Sequence, residues 1–224
     1  MLKILHTSDL HGRISEIIKK HEFDDFDIWI DSGDFLPDHP EFAIRKIATE
    51  DSRTYQRQWL FKKIPHIQKW LNGRTMLSIR GNHDWIDLTK HFGKNVISAE
   101  KGIEINGTKF IGFNEIPNCG NFFWNEVHPY YGFDEVIQKV REYEPDILIT
   151  HAPPNGILDI IKGPIPHNLG IVMLRRFLLE EKHNIKYHMF GHIHFCGGNK
   201  VRHNGINFYN GACRATNIAI GLDK

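Results

Sequence analysis

The chain reads as an α/β protein on two observations. Short apolar runs of strand length alternate with helical patterns, and five groups of metal-type ligands each follow one of those runs within a few residues. Apolar runs at 2–6, 26–30, 75–79, 109–113, 146–150 and 187–190 have the length and side chains of strands. Helical patterns at 14–20, 133–143 and 170–182 lie among them; in the last, Ile171, Leu174, Phe177 and Leu178 form one face. The stretch 41–73 reads as helical too, interrupted ahead of Pro65, which suits a first helical turn. Near the end, 201–202 and 206–209 flank Asn204-Gly205, a hairpin signal and the start of a second set of strands.

With 224 residues, 41% of them hydrophobic, the chain can bury one substantial core, so 1–224 is read as a single domain with a helical insertion around 41–73. Lys+Arg 28 against Asp+Glu 27 gives no global charge bias, so any attraction for nucleic acid must be local. The local candidate is 41–73, with Arg45, Lys46, Arg53, Arg57, Lys62, Lys63 and Lys69. Those cations form either a basic rim for phosphate or nucleic acid, or a solvated face whose opposite side turns Leu60, Ile64, Ile67 and Leu71 inward; the solvated face is the simpler reading. Three cysteines (Cys119, Cys196 and Cys213) fit neither a disulfide framework nor a cysteine zinc site, which points to a reducing compartment. Neither a signal-peptide core nor a membrane-length apolar run is present, so a cytoplasmic protein without a membrane partner is expected. Oligomeric state is not legible.

Fifteen histidines matter mainly for where they fall. Asp9-Leu10-His11 follows the first strand; in extended chain residues two apart point the same way, so a carboxylate and an imidazole would converge on one cation. Ser32-Gly33-Asp34 follows the second, and the two oxygens of Asp34 could bridge two ions. Gly81-Asn82-His83-Asp84 follows the third: Asn82 offers a neutral oxygen, His83 a proton that titrates near neutrality, and Asp84 a partner for a basic group or a cap. His151 comes after 146–150, ahead of Ala152-Pro153-Pro154, and Gly191-His192-Ile193-His194 comes after 187–190. Each motif alone has a bland explanation as a turn or a satisfied histidine. Together they place carboxylates and imidazoles at one sheet edge, where they would repel or stay unsatisfied without a cation.

In order and spacing these motifs resemble the calcineurin-like metallophosphoesterase superfamily: Asp-x-His, Gly-Asp, Gly-Asn-His-Asp/Glu, His, then Gly-His-x-His, here from Asp9 to His194. The resemblance implies a four-layer α/β/β/α sandwich, two central mixed β-sheets flanked by helices. It implies that Asp9, His11, Asp34 and His194 hold one metal and that Asp34, Asn82, His151 and His192 hold the other. The stretch from Gly33 to Asp38 lacks the Asp-Arg-Gly of the superfamily's protein phosphatases, which argues against that activity. The opening Ile4 to His11 is similar to double-strand-break repair nucleases, which are usually longer. Thr150 to Pro154 and Tyr209 to Cys213 look more like small stand-alone phosphodiesterases, some of which act on cyclic nucleotides.

The expected function is therefore a dinuclear-metal phosphoesterase acting on a small phosphodiester such as a (cyclic) nucleotide, by in-line attack of a metal-bridging hydroxide. His83 is the expected general acid or phosphate contact, with Asp84 beside it as a second catalytic candidate. Mn²⁺ is the first expectation for the metals, ahead of Fe, Zn²⁺, Co²⁺ or Ni²⁺. A metal-dependent nuclease on DNA or RNA is the alternative, and a non-catalytic scaffold the third reading. Phe122-Phe123-Trp124 reads either as a lid that stacks on a base or as a core anchor for its loop, and His167 either as a substrate contact or, more simply, as a surface histidine.

Overall fold

A computed structural model describes residues 1–41, 49–114, 116–117, 127–128, 133–162 and 167–221. Among them the strands are β1 (Leu2–Ser8), β2 (Ile28–Asp31), β3 (Thr75–Ser78), β4 (Val96–Ser98), β5 (Ile103–Ile105), β6 (Thr108–Phe113), β7 (Ile116–Pro117) and β8 (Val127–His128). They continue as β9 (Ile147–Thr150), β10 (Ile160–Ile161), β11 (His167–Asn168), β12 (Tyr187–Phe190), β13 (Lys200–His203), β14 (Ile206–Asn210) and β15 (Arg214–Ile220). The α-helices are α1 (Ile14–Lys20), α2 (Thr49–Leu71), α3 (Phe133–Tyr143) and α4 (Val172–Glu180).

Two large mixed sheets result, ordered β15-β1-β2-β3-β4 and β13-β14-β12-β9-β6-β5. In the first, β1 to β4 run parallel and β15 closes the β1 edge antiparallel, pairing Leu2 with Ile220 through to Ser8 with Arg214. In the second, β6, β9, β12 and β14 run parallel, with β5 and β13 as antiparallel edges.

Side chains alternate across a strand, and the buried clusters follow that alternation. Leu2 and Ile4, Ile28 and Ile30, and Leu77 meet Phe110, Ile147, Ile149 and Met189 between the sheets. Their neighbours Leu5, Trp29 and Met76 face the other way, onto Ile14 of α1 and Leu60, Ile67 and Leu71 of α2. Ile111, Leu148, Phe190 and Phe208 face outward from the second sheet onto Val136 and Val140 of α3 and Leu174 and Phe177 of α4. Each sheet is covered on both faces, so the layers run α/β/β/α. Double burial also explains why the strands read as continuous apolar runs.

Two details differ from the sequence reading. Helix α2 is not interrupted ahead of Pro65 but runs through it. Pro65 is exposed, so the Phe61 carbonyl that loses its amide partner lies on the solvent side, where water can satisfy it. The short edge strands β4 and β5, and the long β15, went unread. Elsewhere the hairpin between β13 and β14 turns at Asn204 (φ 47°) and Gly205 (φ 80°), as a two-residue turn requires. Arg45, Lys46, Cys119 and Phe122-Phe123-Trp124 lie outside the described residues. No helix among the described residues is long and apolar enough to cross a membrane.

Candidate metal centre

Strands β1, β2 and β3 of the first sheet and β9 and β12 of the second end at a shared edge, and each motif occupies the residues that follow. Backbone hydrogen bonds lace the loops together. Asp9 N–H donates to Gly33 O (2.8 Å), His11 N–H to Asp34 O (2.9 Å), Gly191 N–H to His151 O (2.9 Å) and Cys213 N–H to Ser8 O (2.9 Å).

Convergence here does not come from extended chain. Asp9 (φ 54°), His11 (φ 44°), Asp34 (φ 56°) and His192 (φ 66°) are all left-handed, and a short 3₁₀ turn begins at His194. The alternation argument for Asp9/His11 and His192/His194 is thereby replaced: each chain kinks as it leaves its strand, and the kink aims the side chain. A left-handed non-glycine residue costs roughly 1–2 kcal/mol, so four of them at one site mark strain concentrated where a function can use it. Two motif glycines have a steric reason. A Cβ on Gly81 would lie 2.2 Å from Asp34 Oδ1, and one on Gly191 would lie 2.2 Å from Asp9 Oδ2 and 1.9 Å from Ser8 Oγ.

The seven ligand candidates come together. His194 Nε2 lies 3.0 Å from Asp9 Oδ1, and the His192 amide donates to Asp9 Oδ2 at 2.8 Å. His151 Nε2 lies 3.2 Å from Asp34 Oδ2 and 3.1 Å from Asn82 Oδ1. The His192 ring is 5.1 Å from His151, and the His11 ring 5.4 Å from His194, between centroids. Donor atoms of Asp9, His11 and His194 all lie within 4.8 Å of one another, and so do those of Asp9, Asp34 and His151. The other His151 nitrogen, Nδ1, donates to Ser32 O at 2.8 Å, which turns Nε2 toward the carboxylates.

These residues fit divalent metal ions. Both ring nitrogens of His11 are buried without a hydrogen bond among the described residues, a costly state for an imidazole that a cation would relieve. Charge tells the same story. Burial opposes protonation of His151, but the Asp34 carboxylate overrides it and raises the histidine to about 10. His194 is raised to about 10 by its hydrogen bonds to Asp9 and Cys213. His192 is pushed down to about 4 by burial and by neighbouring His151. Asp9 and Asp34 are both held below the carboxylate range: burial opposes this, the His194 hydrogen bond and the His151 charge, respectively, prevail. The two raised histidines thus put positive charge beside the Asp9 and Asp34 carboxylates, as bound cations would.

His83 stands beside this group, its ring 4.9 Å from His11. Its Nδ1 is 2.6 Å from Asp38 Oδ1, and its amide donates to Asp34 Oδ1 at 2.6 Å. Burial lowers its proton affinity, and the Asp34 charge and the Asp38 hydrogen bond more than restore it, so the net shift is upward. Asp84 is fully buried and accepts from the amides of Asp34 (2.8 Å), Phe35 (3.3 Å), Leu36 (2.9 Å) and Gly81 (2.9 Å). Its carboxylate thus fixes the loop that carries Asp34. Burial and the charge of Asp34 raise it to about 7. Two residues were missed in the sequence. Asp38 had a faint signal, as a second carboxylate four places after Asp34. Gln56 had none beyond being polar on the face of α2 that holds Leu60 and Ile67. His167 is exposed in β11.

Residues 2–196 match the family model for calcineurin-like phosphoesterases. Uncharacterized protein MJ1162 of Methanocaldococcus jannaschii is 27% identical over 200 residues, covering 86% of this chain and 80% of its own length. UPF0046 protein K07C11.7 of Caenorhabditis elegans is 26% identical over 86% of this chain, which spans 63% of that relative. A putative 5′-nucleotidase from Staphylococcus aureus shares the fold, with a TM-score of 0.54 at 14% identity over 93% of this chain and 48% of its own. The chain belongs to the calcineurin-like phosphoesterase family and is a metal-dependent hydrolase of phosphoric esters.

Proposed function

We propose that this family member hydrolyses small phosphodiesters, such as a (cyclic) nucleotide, at a dinuclear centre. Asp9, His11, Asp34 and His194 would hold one ion and Asp34, Asn82, His151 and His192 the other, with Mn²⁺ the first candidate. The observation that supports this reading is the position of Asp34. It is buried, its Oδ2 lies 3.2 Å from His151 Nε2, and it falls in one cluster with His151 and Asp9, while Asp9 also clusters with His11 and His194, so the two proposed sets of donors adjoin through these carboxylates. Two divalent ions bound there supply positive charge to the phosphate oxygens and an activated water at neutral pH.

The remaining work falls to side chains. Asp38 holds His83 by Nδ1, which leaves Nε2 as the nitrogen that hands a proton to the departing ester oxygen. Asp84 and the laced backbone keep Asp34 and His83 at fixed separation before substrate arrives, which favours the transition state. A small substrate is supported by the way α2 uses its cations. Arg57 pairs with Glu50 at 3.0 Å, Arg53 bonds the Trp85 carbonyl at 3.3 Å, and Lys63 bonds Ser15 Oγ at 2.9 Å. The first pair lies within the helix and the other two tie it to its neighbours, so these three cations are engaged locally rather than presenting a charged track for a polynucleotide.

The test is a panel on metal-reconstituted protein: aryl mono- and diesters, cyclic nucleotides and short oligonucleotides, with metal content per chain measured in parallel. Two ions per chain and preferential turnover of small diesters are expected, and Asp34→Asn should lose both metal and turnover. A metal-replete, active Asp34→Asn protein would refute the assignment, and salt-sensitive cleavage of oligonucleotides alone would point to a nuclease.

A further inference from the structure

A buried amide on α2 joins the two loops that carry His83 and Asp38. Gln56 is fully buried. Its Nε2 donates to the His83 carbonyl at 2.7 Å and to the Pro37 carbonyl at 3.2 Å, and its Oε1 accepts from the Trp85 amide at 2.8 Å. Both amide protons and one oxygen lone pair are thus committed to backbone outside α2. The Pro37 carbonyl belongs to the peptide that enters Asp38, and the His83 carbonyl to the peptide that leaves His83. One rigid side chain therefore grips the dyad from behind at both ends.

Packing alone gives no reason for a glutamine here. Position 56 shares the core face of α2 with Leu60 and Ile67, and what an apolar residue there would lose is its hold on the Pro37 and His83 carbonyls and the Trp85 amide. We propose that Gln56 is a positioning residue for proton transfer: it sets the distance between Asp38 and His83 and so the orientation of the imidazole toward the leaving oxygen. This rests on the reading of His83 as the general acid. It differs from the role of Asp84, whose bonds to Asp34, Phe35, Leu36 and Gly81 fix the metal-side loop.

The distinguishing test is dependence on the leaving group. A p-nitrophenolate leaves with little help, whereas a phenolate needs its proton. Wild type, His83→Ala, Gln56→Met (similar in length, without hydrogen bonds) and Gln56→Asn (polar, one methylene short) are reconstituted with Mn²⁺. Each is assayed on phenyl and p-nitrophenyl phosphate and on their methyl diesters. General acids contribute about 10²–10⁴-fold, so a mispositioned one should forfeit about 10–100-fold on the phenyl esters and several-fold less on the p-nitrophenyl esters. Both Gln56 variants are expected to show this split, in the same direction as His83→Ala. A second reading needs no turnover: in metal-free protein the downfield proton resonance of the His83–Asp38 hydrogen bond, identified by its loss in His83→Ala, should disappear or broaden in Gln56→Met. If His83→Ala shows the split and the Gln56 variants lose both ester types equally, or keep the resonance intact, Gln56 is only a structural residue and the proposal is wrong. If His83→Ala shows no split, the general-acid reading fails first and takes this one with it.

Discussion

Metal uptake at the proposed centre should release protons, and His151 is the first expected source. In the metal-free protein His151 is raised to about 10, because the Asp34 charge outweighs the burial that opposes it. At pH 7 it is therefore protonated, and a metal ion can use its Nε2 only by expelling that proton. Three pH units correspond to about 4 kcal/mol, or about a thousandfold in apparent affinity. His194 is raised as well, through Asp9, but its side chain is 53% exposed; solvent screening discounts its share. His192, at about 4, is already neutral and has no proton to give. Mn²⁺ titrations by calorimetry at pH 7, repeated in buffers of different ionisation enthalpy, should count between one and two protons released per chain. Apparent affinity should strengthen as pH rises from 6 toward 9, by up to about tenfold per unit for each displaced proton. The sign for folding follows the same group. A raised histidine stabilises the metal-free protein fully below the unfolded value near 6.5, and that contribution is lost as pH rises through about 10. Metal-free protein should thus lose thermal stability above neutrality, while metal-loaded protein is spared. Proton-free metal binding at pH 7 would show that His151 is not a ligand, or that Asp34 does not hold its charge.

Two substitutions probe the same centre. His83→Ala should keep its metal, measured as ions per chain, and lose turnover of phenyl esters by about 10²–10⁴-fold; an active variant would move the proton donor elsewhere. Gly191→Ala places a Cβ 2.2 Å from Asp9 Oδ2, and overpacking of this kind costs about 1–3 kcal/mol. A fall of about 2–12 °C in melting temperature with reduced metal content is expected, at roughly 2–4 °C per kcal/mol for a chain of this size. Wild-type melting and full metal content would show that the β12 loop yields easily.

Legibility in the sequence tracked the number of constraints on each residue. Strands buried on both faces wrote themselves as uninterrupted apolar runs, so β1, β2, β3, β6, β9 and β12 were found within a few residues of their ends. Strands β4, β5 and β15 were not. The first two are three-residue edges, and β15 alternates exposed and buried positions weakly, as Arg214, Asn217 and Ala219 lie outward. The ligand candidates were legible because carboxylates and imidazoles gather after strands for few other reasons. Asp38 and Gln56 were hidden for the opposite reason: their partners are a side chain 45 residues away and three backbone groups, neither of which leaves a local pattern. Extended-chain alternation pointed to residues that do converge, but by another geometry: Asp9 and His192 sit in left-handed turns within loops laced together by backbone hydrogen bonds.

That lacing explains how the protein can hold an assembly that is costly without its ions. Asp9 and Asp34 are buried like charges, and the His11 ring nitrogens have no hydrogen bond among the described residues. Left free to move, these side chains would rotate toward solvent. They are prevented from doing so by hydrogen bonds made behind them: His192 N–H to Asp9, His83 N–H to Asp34, and the four amides gathered by Asp84 around the Asp34 loop. The strain of the left-handed kinks is held by the same framework and is present before any ion or substrate binds. On the proposed assignment, binding energy from the cations would not have to order the loops; it would be set mainly against the protons on His151 and His194. On this argument, conditions that weaken those protons should assemble the centre more readily than conditions that loosen the fold.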